Sequence, residues 1–598
     1  MLQTFAPSTS PDQSPPRLAA LRQQLESKQL DAFLIPRADR FQGEYVAPAD
    51  ERLAWLTGFT GSAGFAVVTS LKAALFTDGR YTLQGRSQTP DEIDIVGIPG
   101  TKLADWLGEH LGTGRVAYDP WLHTAGQIET LRKTLAPGLD LIPSDNLVDL
   151  VWDDRPEPPA EPFSAYPAKL AGQTSAGKIN EIADKLREAH RSATVLTQPD
   201  SLAWLLNIRG SDIPRNPVPH AMAILHEDGH LDLFAAEEKL AGLDDHFDAD
   251  ITRRDPGEIL RYIKKSSSPV QVDPDTLPDR IATVLADADI TVEHAPDPCL
   301  LPKARKTETE LANTREAHLR DGAAVVDFLA WLDAQAPGTV DEITAVTELE
   351  NRRHQTGQLL DISFETIAGS GPHGAIVHYR VTNETNRTAQ PGELFLIDSG
   401  GQYIDGTTDI TRTVPIGEPT EDQRKTYTAV LQGVIAISTA RFPKGTAGRD
   451  LDPLARAALR RIGRDYDHGT GHGVGVYLSV HEGPQRLSKA SQIPLEPGMI
   501  LSNEPGYYRT DDFGIRLENL IAVELPQPLD GQDDRDWLGF ETLTWVPFDR
   551  RLIDTSALAR FERDWIDAYH AEIMEKIGGR VTETDWLAGA CAPLTQSA

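Results

Sequence analysis

The sequence predicts a protein of mixed α/β and α+β class, with two related α/β domains at the N-terminus and a larger C-terminal domain. Helical and strand-like patterns alternate along its 598 residues, a length that suits about four average domains, or three with one large. A short apolar motif recurs after 149 residues, and nearly all chemistry-bearing residues fall in about the last 290. These observations indicate a duplicated N-terminal half and a C-terminal half that carries the function.

The net charge and the cysteine count exclude several classes of protein. The chain carries 58 Lys+Arg against 90 Asp+Glu, a net charge of −32, so a phosphate backbone would be repelled and we expect no nucleic-acid partner. Its two cysteines, Cys299 and Cys591, exclude a disulfide framework and a cysteine-based zinc site. With 40% hydrophobic residues, the chain has enough apolar side chains for several cores.

Neither a transmembrane helix nor a signal peptide is expected. No run approaches 18 apolar residues, and the N-terminal stretch MLQTFAPSTSPDQSPPR has no basic start followed by an apolar segment. Because this stretch is rich in Pro and Ser, we expect it to fray. We therefore expect a cytoplasmic protein without a membrane partner.

The first domain is predicted from a helix at 16–29 that leads into an apolar strand, Ala32–Pro36. The motif LAWLTGF, a Gly-rich turn and two further short strands follow, separated by Gly and Asp-Gly turns. An acidic, Pro-rich stretch at 153–167 is typical of a linker. We place the first domain at residues 1–157.

The same order of elements recurs after this linker. A charged helix at 175–190 precedes an apolar strand and the motif LAWLLN (202–207), which repeats LAWLTG (53–58). A chance match of four residues is the alternative, but the flanking strands and turns match as well. We interpret the repeat as an internal duplication and place the second domain at residues 158–305.

The C-terminal domain is predicted at residues 306–598. A strongly helical region runs from the segment 301–310 to about residue 335, and a helix with a polar exposed side is expected at about 555–589. Clusters of acidic residues and histidines lie between these two helical regions, and they are the basis for predicting the function.

Two aspartates lie on the arms of a predicted β-hairpin, ELFLIDSGGQYIDGTTDITRTV. One strand ends in Asp398, the turn is at Asp405-Gly406, and the returning strand carries Asp409. A carboxylate at the end of an apolar strand is costly to bury unless it is paired or metal-bound, and two on adjacent strands repel each other without a cation. Asp405 is a turn residue and needs no such explanation.

Two glutamates interrupt apolar strands in a similar way. Glu504 lies in MILSNEPGYY and Glu518 in FGIRLENLIAV, 14 residues apart and joined by a turn region with two aspartates. Glu is disfavoured within strands, and either residue alone would suit a solvated strand edge. A shared cation explains the two aspartates and two glutamates better than four independent edge positions do.

Three histidines, His468, His472 and His481, are interleaved with glycines in HGTGHGVGVYLSVHEGP. Glycines let the backbone approach a ligand closely. A phosphate-binding loop is not expected, because the segment has no Gly-Lys-Ser/Thr. His378 follows an apolar run in GPHGAIVHYR, whereas His373, in the Gly-Pro loop of the same segment, has no expected role.

Four carboxylates and at least one imidazole form an oxygen-rich ligand set, which suits Mn²⁺ or, less selectively, Co²⁺, Zn²⁺ or Mg²⁺. Because four acids exceed what one catalytic zinc needs, we expect two ions that share carboxylates. Such a pair lowers the pKa of a bridging water and stabilises a hydrolytic transition state. These residues therefore predict a hydrolase.

Taken together, the motifs resemble those of the M24 "pita-bread" metallopeptidases. The order Asp, Asp, His, Glu, Glu in IDSG, TTDITRT, HGTGHGVG, VHEGP, NEPGYY and GIRLEN is similar to that of the Xaa-Pro aminopeptidases of the long, three-domain type. EYVAPADER, GFTGSAG and TDGRYTLQ resemble their first domain, so the resemblance covers nearly the whole chain. It implies two creatinase-type N-terminal domains and a C-terminal pita-bread domain.

The resemblance also implies a role for each matching residue. Two Mn²⁺ ions per chain, with Co²⁺ or Zn²⁺ as alternatives, would be held by Asp398, Asp409, His472, Glu504 and Glu518. Asp409 and Glu518 would bridge the ions. Substrate would be contacted by His378, His472, His481 and Glu504, and by Arg80 from the first domain.

Catalysis would depend on three of these side chains. His378 and His481 would stabilise the tetrahedral intermediate, and Glu504 would move a proton as a general acid and base. His468, in the same loop as His472, would either line the pocket or lie behind the ligands. The implied reaction releases the first residue of peptides with proline in the second position, with a hydroxide that bridges the two ions as nucleophile. The family also implies a homodimer through the C-terminal domain, whereas no role is predicted for segment 526–540.

Three alternative functions fit these residues less well. A prolidase, which cuts only Xaa-Pro dipeptides, is disfavoured by the duplicated N-terminal half. A creatinase-like amidinohydrolase would lack the acidic ligands, all of which are present. A non-catalytic peptide-binding protein on the same scaffold fits poorly with an intact ligand set. Tripeptide cleavage and metal content distinguish these possibilities.

Overall fold

The computed structural model describes residues 2–7 and 9–594. It contains two compact units, one spanning Ser8–Lys303 and the other Ala304–Ala598 together with Met1–Pro7. The first unit holds two six-stranded sheets, and the second holds the acidic and histidine clusters. The bounds of the three domains expected from the sequence stay a prediction. None of the described helices is long and apolar enough to cross a membrane.

The first sheet of the N-terminal unit mixes parallel and antiparallel strands. In spatial order its strands are β4 (Ile93–Gly97), β3 (Ala73–Thr77), β2 (Phe65–Thr69), β1 (Ala32–Pro36), β5 (Gly114–Tyr118) and β6 (Leu139–Pro143). The helices of this half are α1 (Ser14–Ser27), α2 (Arg52–Thr57), α3 (Thr82–Gln88), α4 (Leu103–Leu111) and α5 (Ala125–Thr134). The predicted helix at 16–29 is therefore confirmed as α1, displaced by two residues.

The second sheet has the same organisation. Its spatial order is β12 (Ile251–Arg254), β11 (Leu231–Phe234), β10 (Met222–His226), β8 (Ala193–Leu196), β13 (Val270–Val272) and β14 (Val292–His294). A separate pair is formed by β7 (Ser164–Ala165) and β9 (Ile208–Arg209). The helices are α6 (Ala168–Ala171), α7 (Ser175–Glu188), α8 (Pro199–Leu206), α9 (Ile259–Ile263), α10 (Asp279–Asp287) and α11 (Leu300–Ala304).

The two sheets confirm the predicted duplication. In each, the central strand pairs antiparallel with one neighbour and parallel with the other: β1 with β2 and β5, and β8 with β10 and β13. The repeated motif LAWL lies in α2 and in α8, between equivalent strands. Leu56 and Leu205, the last residue of each copy, are fully buried. The motif recurs because each half needs an apolar helix against its sheet.

The C-terminal unit combines long helices with several small sheets. Its helices are α12 (Glu308–Asp333), α13 (Glu342–Gln355), α14 (Glu421–Ser438), α15 (Gly448–Arg461), α16 (Arg560–Ile577) and α17 (Thr584–Ala590). Helix α12 confirms the predicted helical region, and Thr307 and Glu310 form a capping box at its start. The single helix expected at 555–589 is divided into α16 and α17, with Gly578 and Gly579 between them.

Four sheets carry the strands of this unit. One three-stranded sheet has the order β15 (Asp361–Ile362), β18 (Gly401–Tyr403), β19 (Gly406–Thr407). A second three-stranded sheet has the order β16 (Ile367–Ser370), β17 (Leu394–Ser399), β20 (Ile410–Pro415). A six-stranded sheet has the order β21 (Phe442–Pro443), β28 (Trp537–Thr542), β27 (Asn519–Glu524), β24 (Ile500–Asn503), β22 (Gly471–Gly473), β23 (Glu482–Leu487). The last is the pair β25 (Gly506–Arg509), β26 (Phe513–Arg516). Segment 526–540 thus ends in β28.

The expectation that the N-terminal stretch frays is wrong for its first residues. The backbone N–H of Leu2 donates to Glu350 Oε1 at 2.5 Å, and the side-chain amide oxygen of Gln3 accepts from the N–H of Thr366 at 2.8 Å. Phe5 is buried in the core of the C-terminal unit. A composition rich in Pro and Ser did not reveal Phe5, whose apolar burial offsets the cost of ordering the segment.

Replacing Phe5 tests this attachment. We expect Phe5→Ala to destabilise the C-terminal unit by about 3 kcal/mol, because it removes a buried aromatic ring and leaves a cavity. Phe561→Ala is the matched control: Phe561 is 61% exposed, so its loss should change stability by less than about 0.5 kcal/mol. Hydrogen exchange of peptides from α13 and β16 measures the effect. Equal exchange in both variants would contradict the attachment.

Candidate metal centre

Asp398 and Asp409 lie on one antiparallel hairpin, as predicted. Strands β17 and β20 pair so that Asp398 faces Thr411 across the ladder. Asp409 comes directly before β20 rather than within it. Both side chains are buried, with 7% and 4% exposure. The two aspartates therefore lie at the same end of this strand pair, Asp398 near the end of β17 and Asp409 just before β20.

Glu504 and Glu518 lie at strand ends rather than inside strands, where the sequence had suggested them. Glu504 follows β24 and Glu518 precedes β27. These strands pair antiparallel, with Asn503 opposite Asn519, so the next step of the register sets the two glutamates across from each other. Thr411 joins this sheet to the aspartate hairpin: its Oγ1 donates to Glu518 Oε2 at 2.7 Å, and its carbonyl accepts from Glu518 N–H at 3.1 Å.

His472 lies in β22, between β23 and β24. Its Nε2 is 3.5 Å from Asp409 Oδ2 and 3.5 Å from Glu504 Oε1. Ser502 connects the two strands, because its Oγ accepts from His472 N–H at 2.9 Å and donates to Glu504 Oε1 at 3.0 Å. A Cβ on Gly471 would lie 1.9 Å from the carbonyl oxygen of Ser502, so the close approach of β22 and β24 requires glycine there.

The arrangement fits a cation. Ligand atoms of Asp409, His472 and Glu518 all lie within 4.8 Å of one another, the one such group among the described residues. Asp398 Oδ1 and Glu518 Oε1 are buried carboxylate oxygens with no hydrogen-bond donor. Buried carboxylate oxygens are normally paired or coordinated, so a divalent cation would satisfy both.

The electrostatics of the four carboxylates lead to the same conclusion. Burial raises the pKa of Asp398 to about 6; Arg516 opposes the rise, while Asp409 and Glu504 add to it. Burial also raises the pKa of Glu518 well above its usual range, with Asp409, Glu504 and Asp398 contributing. Neighbouring negative charges disfavour the ionised forms of these carboxyl groups, and a cation placed among them would remove that repulsion.

His472 and Glu504 shift each other's pKa in opposite directions. Burial alone would lower the pKa of His472, but Asp409 and Glu504 raise it to about 9. Burial alone would raise the pKa of Glu504, but His472, His468 and Arg516 bring it below its ordinary value. A metal ligand must be deprotonated, so cation binding here would displace the proton of His472.

Arg516 and Tyr508 belong to the site but were not singled out from the sequence. Arg516 Nη2 donates to Asp398 Oδ2 at 2.6 Å, and Nη1 donates to Tyr508 Oη at 2.6 Å. His468 Nδ1 lies 2.7 Å from the Gly469 carbonyl, so its Nε2 accepts from Tyr508 Oη at 2.9 Å. His468 is therefore linked to Asp398 through Tyr508 and Arg516, and its expected role stays a prediction. The sequence did offer a signal for Arg516, because an arginine inside an apolar strand, two positions before Glu518, needs a buried anionic partner.

The remaining predicted residues are His481, His378 and Arg80. The ring of His481 lies 4.3 Å from that of His472, edge to face. His378 is half-buried in a turn that follows a short 3-10 helix at Gly371–Ala375. Arg80 belongs to the N-terminal unit, where its Nη2 is 2.7 Å from Asp78 Oδ2. The structure thus brings together His481 and all five predicted ligands.

Replacing Glu518 by its uncharged isostere tests the cation site. Burial and the neighbouring carboxylates raise the pKa of Glu518, so its negative charge is disfavoured when no cation is bound. With a chelator present, Glu518→Gln should therefore not lower the melting temperature. With Mn²⁺, wild-type protein should gain stability by linkage, and the variant should lose most of that gain. Differential scanning calorimetry measures both.

Glu575→Gln is the control for this test, because Glu575 is exposed on α16 and the substitution makes the same change of charge. We expect it to retain the full Mn²⁺-dependent gain. A Glu518→Gln variant that Mn²⁺ stabilises as strongly as wild type would show that Glu518 holds no metal.

Models of known protein families match most of the chain. Metallopeptidase family M24 matches residues 312–524, and the C-terminal region of peptidase M24 matches 536–594. Creatinase/prolidase N-terminal domains match 17–151 and 154–310. The second pair of matches agrees with the duplicated sheets of the N-terminal unit.

Several relatives are similar to this chain over nearly their whole length. A probable Xaa-Pro aminopeptidase P of Neosartorya fischeri is 39% identical, covering 97% of this chain and 93% of that protein, and one of Paracoccidioides brasiliensis is 40% identical, covering 97% and 99%. The crystal structure of X-prolyl aminopeptidase from Caenorhabditis elegans, described as a cytosolic enzyme with a di-nuclear active site, has 33% identity and a TM-score of 0.92, covering 97% of this chain and 100% of that one.

A prolidase from Pyrococcus horikoshii matches less of the chain. It has 21% identity and a TM-score of 0.50, covering 62% of this chain and 99% of its own, and shows a shared fold alone. The relatives at 39–40% identity cover both units. This chain, with its creatinase-type N-terminal domains and C-terminal pita-bread domain, therefore belongs to the Xaa-Pro aminopeptidase P family of the M24 metallopeptidases.

Proposed function

We propose that this chain is a Xaa-Pro aminopeptidase, which releases the N-terminal residue from peptides with proline in the second position. The observation that carries the proposal is the cluster of buried carboxylates around His472, with two carboxylate oxygens that lack a donor. The names and the high similarity of the relatives support the choice of substrate.

Two divalent cations per chain complete the proposed site. The residues that would hold them are Asp398, Asp409, His472, Glu504 and Glu518. We expect Mn²⁺, with Co²⁺ or Zn²⁺ as alternatives, because a ligand set of four carboxylates and one imidazole selects weakly among these ions. When bound, the pair would supply Lewis acidity that makes water a nucleophile near neutral pH and stabilises negative charge in hydrolysis.

The chain's own residues would position the peptide and move protons. Glu504 is suited to accept a proton, because its neighbours lower its pKa and so favour the ionised carboxylate, and Ser502 Oγ orients Oε1. His481 lies against His472 and would donate toward the oxygen that gains charge at the scissile carbonyl, with His378 as its partner in this role. The Xaa-Pro amide has no N–H, so shape rather than a hydrogen bond would select proline.

Purified protein supplies the direct test of this function. We expect about two metal ions per chain by elemental analysis and cleavage of Arg-Pro-Pro with Mn²⁺, whereas peptides without proline at position two should be spared. Asp409→Asn should abolish turnover, since it removes a carboxylate within reach of His472 and Glu518.

Asp405→Asn is the matched control, from the same hairpin. Asp405 pairs with Arg320 and lies outside the carboxylate cluster, so turnover should persist. Turnover by Asp409→Asn would overturn the metal assignment. Cleavage of Xaa-Pro dipeptides but not of tripeptides would identify a prolidase instead, and metal binding without turnover would identify a peptide-binding protein.

Arg80 is proposed to contact the peptide from the N-terminal unit. We expect Arg80→Ala to raise KM for tripeptides several-fold and to leave the metal content unchanged, because the guanidinium would bind substrate and no metal ligand. Arg86→Ala is the control, since Arg86 is an exposed arginine on α3. Steady-state kinetics measure KM for both variants. If Arg80→Ala and Arg86→Ala have equal KM values for the tripeptide, Arg80 does not contact the substrate.

We further propose a cytoplasmic homodimer that associates through the C-terminal unit. The cytosolic relative from Caenorhabditis elegans supports the compartment. Buried, unpaired Cys299 and Cys591 are compatible with it. Light scattering coupled to size-exclusion chromatography measures the oligomeric state.

A further inference from the structure

Glu342 is a buried carboxylate outside the proposed metal ligands. It is the first residue of α13, and its side chain is fully buried. A carboxylate at this position is favoured by the positive end of the helix dipole. A buried charge is nevertheless costly unless several donors satisfy it, so its partners indicate what it does.

Among the described residues, the hydrogen-bond donors to the Glu342 carboxylate come from one segment, residues 370–387. Oε1 accepts from Ser370 N–H at 2.9 Å and from His373 Nδ1 at 2.8 Å. Oε2 accepts from Tyr379 Oη at 3.0 Å and from Arg387 N–H at 3.3 Å. These donors flank His378 on both sides in sequence. The carboxylate therefore holds both ends of the segment that contains this histidine.

This segment also packs against the strands that carry the proposed ligands. Its 3-10 helix follows β16, whose Ile367 is paired with Asp398. A Cβ on Gly514 of β26 would lie only 1.7 Å from the carbonyl oxygen of Gly374, so the backbones are in direct contact there. Strand β26 ends two residues before Glu518. A shift of the segment would consequently move His378 relative to the carboxylates.

We infer that Glu342 is a positioning residue, which fixes the place of His378 by binding Ser370, His373, Tyr379 and Arg387 around it. This inference rests on the proposed function, since it assigns His378 to the reaction. Glu342 itself would touch neither substrate nor metal. His373, which had no expected role, is then one of the donors that this anchor requires.

The isosteric variant Glu342→Gln is the first test. Each carboxylate oxygen faces a backbone N–H, of Ser370 or of Arg387, and a backbone N–H cannot accept a hydrogen bond. Whichever way the glutamine turns, its NH₂ group meets one of these donors, and the anchor is lost on that side. We expect kcat for Arg-Pro-Pro to fall at least about tenfold, KM to change less than about threefold, and two metal ions per chain to remain.

Glu384→Gln is the control. Glu384 is exposed on the same segment, and the substitution makes the same change of charge, so its kinetics should equal those of wild type. If Glu342→Gln fails to fold, Tyr379→Phe removes one donor and should lower kcat in the same direction. Loss of metal from folded Glu342→Gln, or unchanged kcat in both Glu342→Gln and Tyr379→Phe, would overturn the inference.

A double-mutant cycle distinguishes positioning from general damage. If Glu342 acts through His378, adding Glu342→Gln to His378→Ala should lower kcat less than about twofold further. Independent, multiplicative losses would mean that Glu342 supports something other than His378, and would contradict the inference.

Hydrogen exchange provides a readout that does not depend on activity. Peptides spanning residues 371–387 should exchange faster in Glu342→Gln than in Glu384→Gln, while peptides from β17 and β24 stay unchanged. Equal exchange would disprove the anchor. Should wild-type protein cleave no Xaa-Pro peptide, the proposed function fails, and exchange still decides whether Glu342 holds the segment.

Discussion

Mutual repulsion among buried carboxylates is the constraint on which the C-terminal unit depends. Asp398, Asp409, Glu504 and Glu518 are held near one another by strands whose pairing leaves no freedom to separate them. Burial and crowding disfavour the charged forms of Asp398 and Glu518. The unit therefore needs positive charge among these side chains, and His472 and Arg516 provide part of it.

Apolar packing sustains this repulsive cluster. Strand β17 is buried along its entire length, and it sits in the same core as helices α12 and α14. Thr411 and Ser502 link neighbouring backbones to the glutamates through short hydrogen bonds. The carboxylates thus lie at the ends of paired strands or directly beside them, which suits a site that must keep its ligands in place before a cation binds.

Hydrogen bonds to buried charges also fix the positions of residues outside the proposed ligand set. Arg516 connects Asp398 to Tyr508 and, through it, to His468. Glu342 gathers donors on either side of His378. In both cases one buried charge is satisfied by groups distant in sequence, so that each network requires several elements to be in their final positions.

The sequence by itself determined the order of the elements, the duplication of the N-terminal half and the identity of the acidic and histidine residues at the centre. These are local properties: apolar periodicity, turn residues and carboxylates in apolar strands can be read within short windows. Tertiary structure alone decided that the glutamates stand at strand ends, that Arg516 pairs with Asp398, that His373 serves Glu342, and that Phe5 enters the core. Each of these depends on contacts between segments far apart in the chain, which no local pattern specifies, because they arise only when packing brings the segments together.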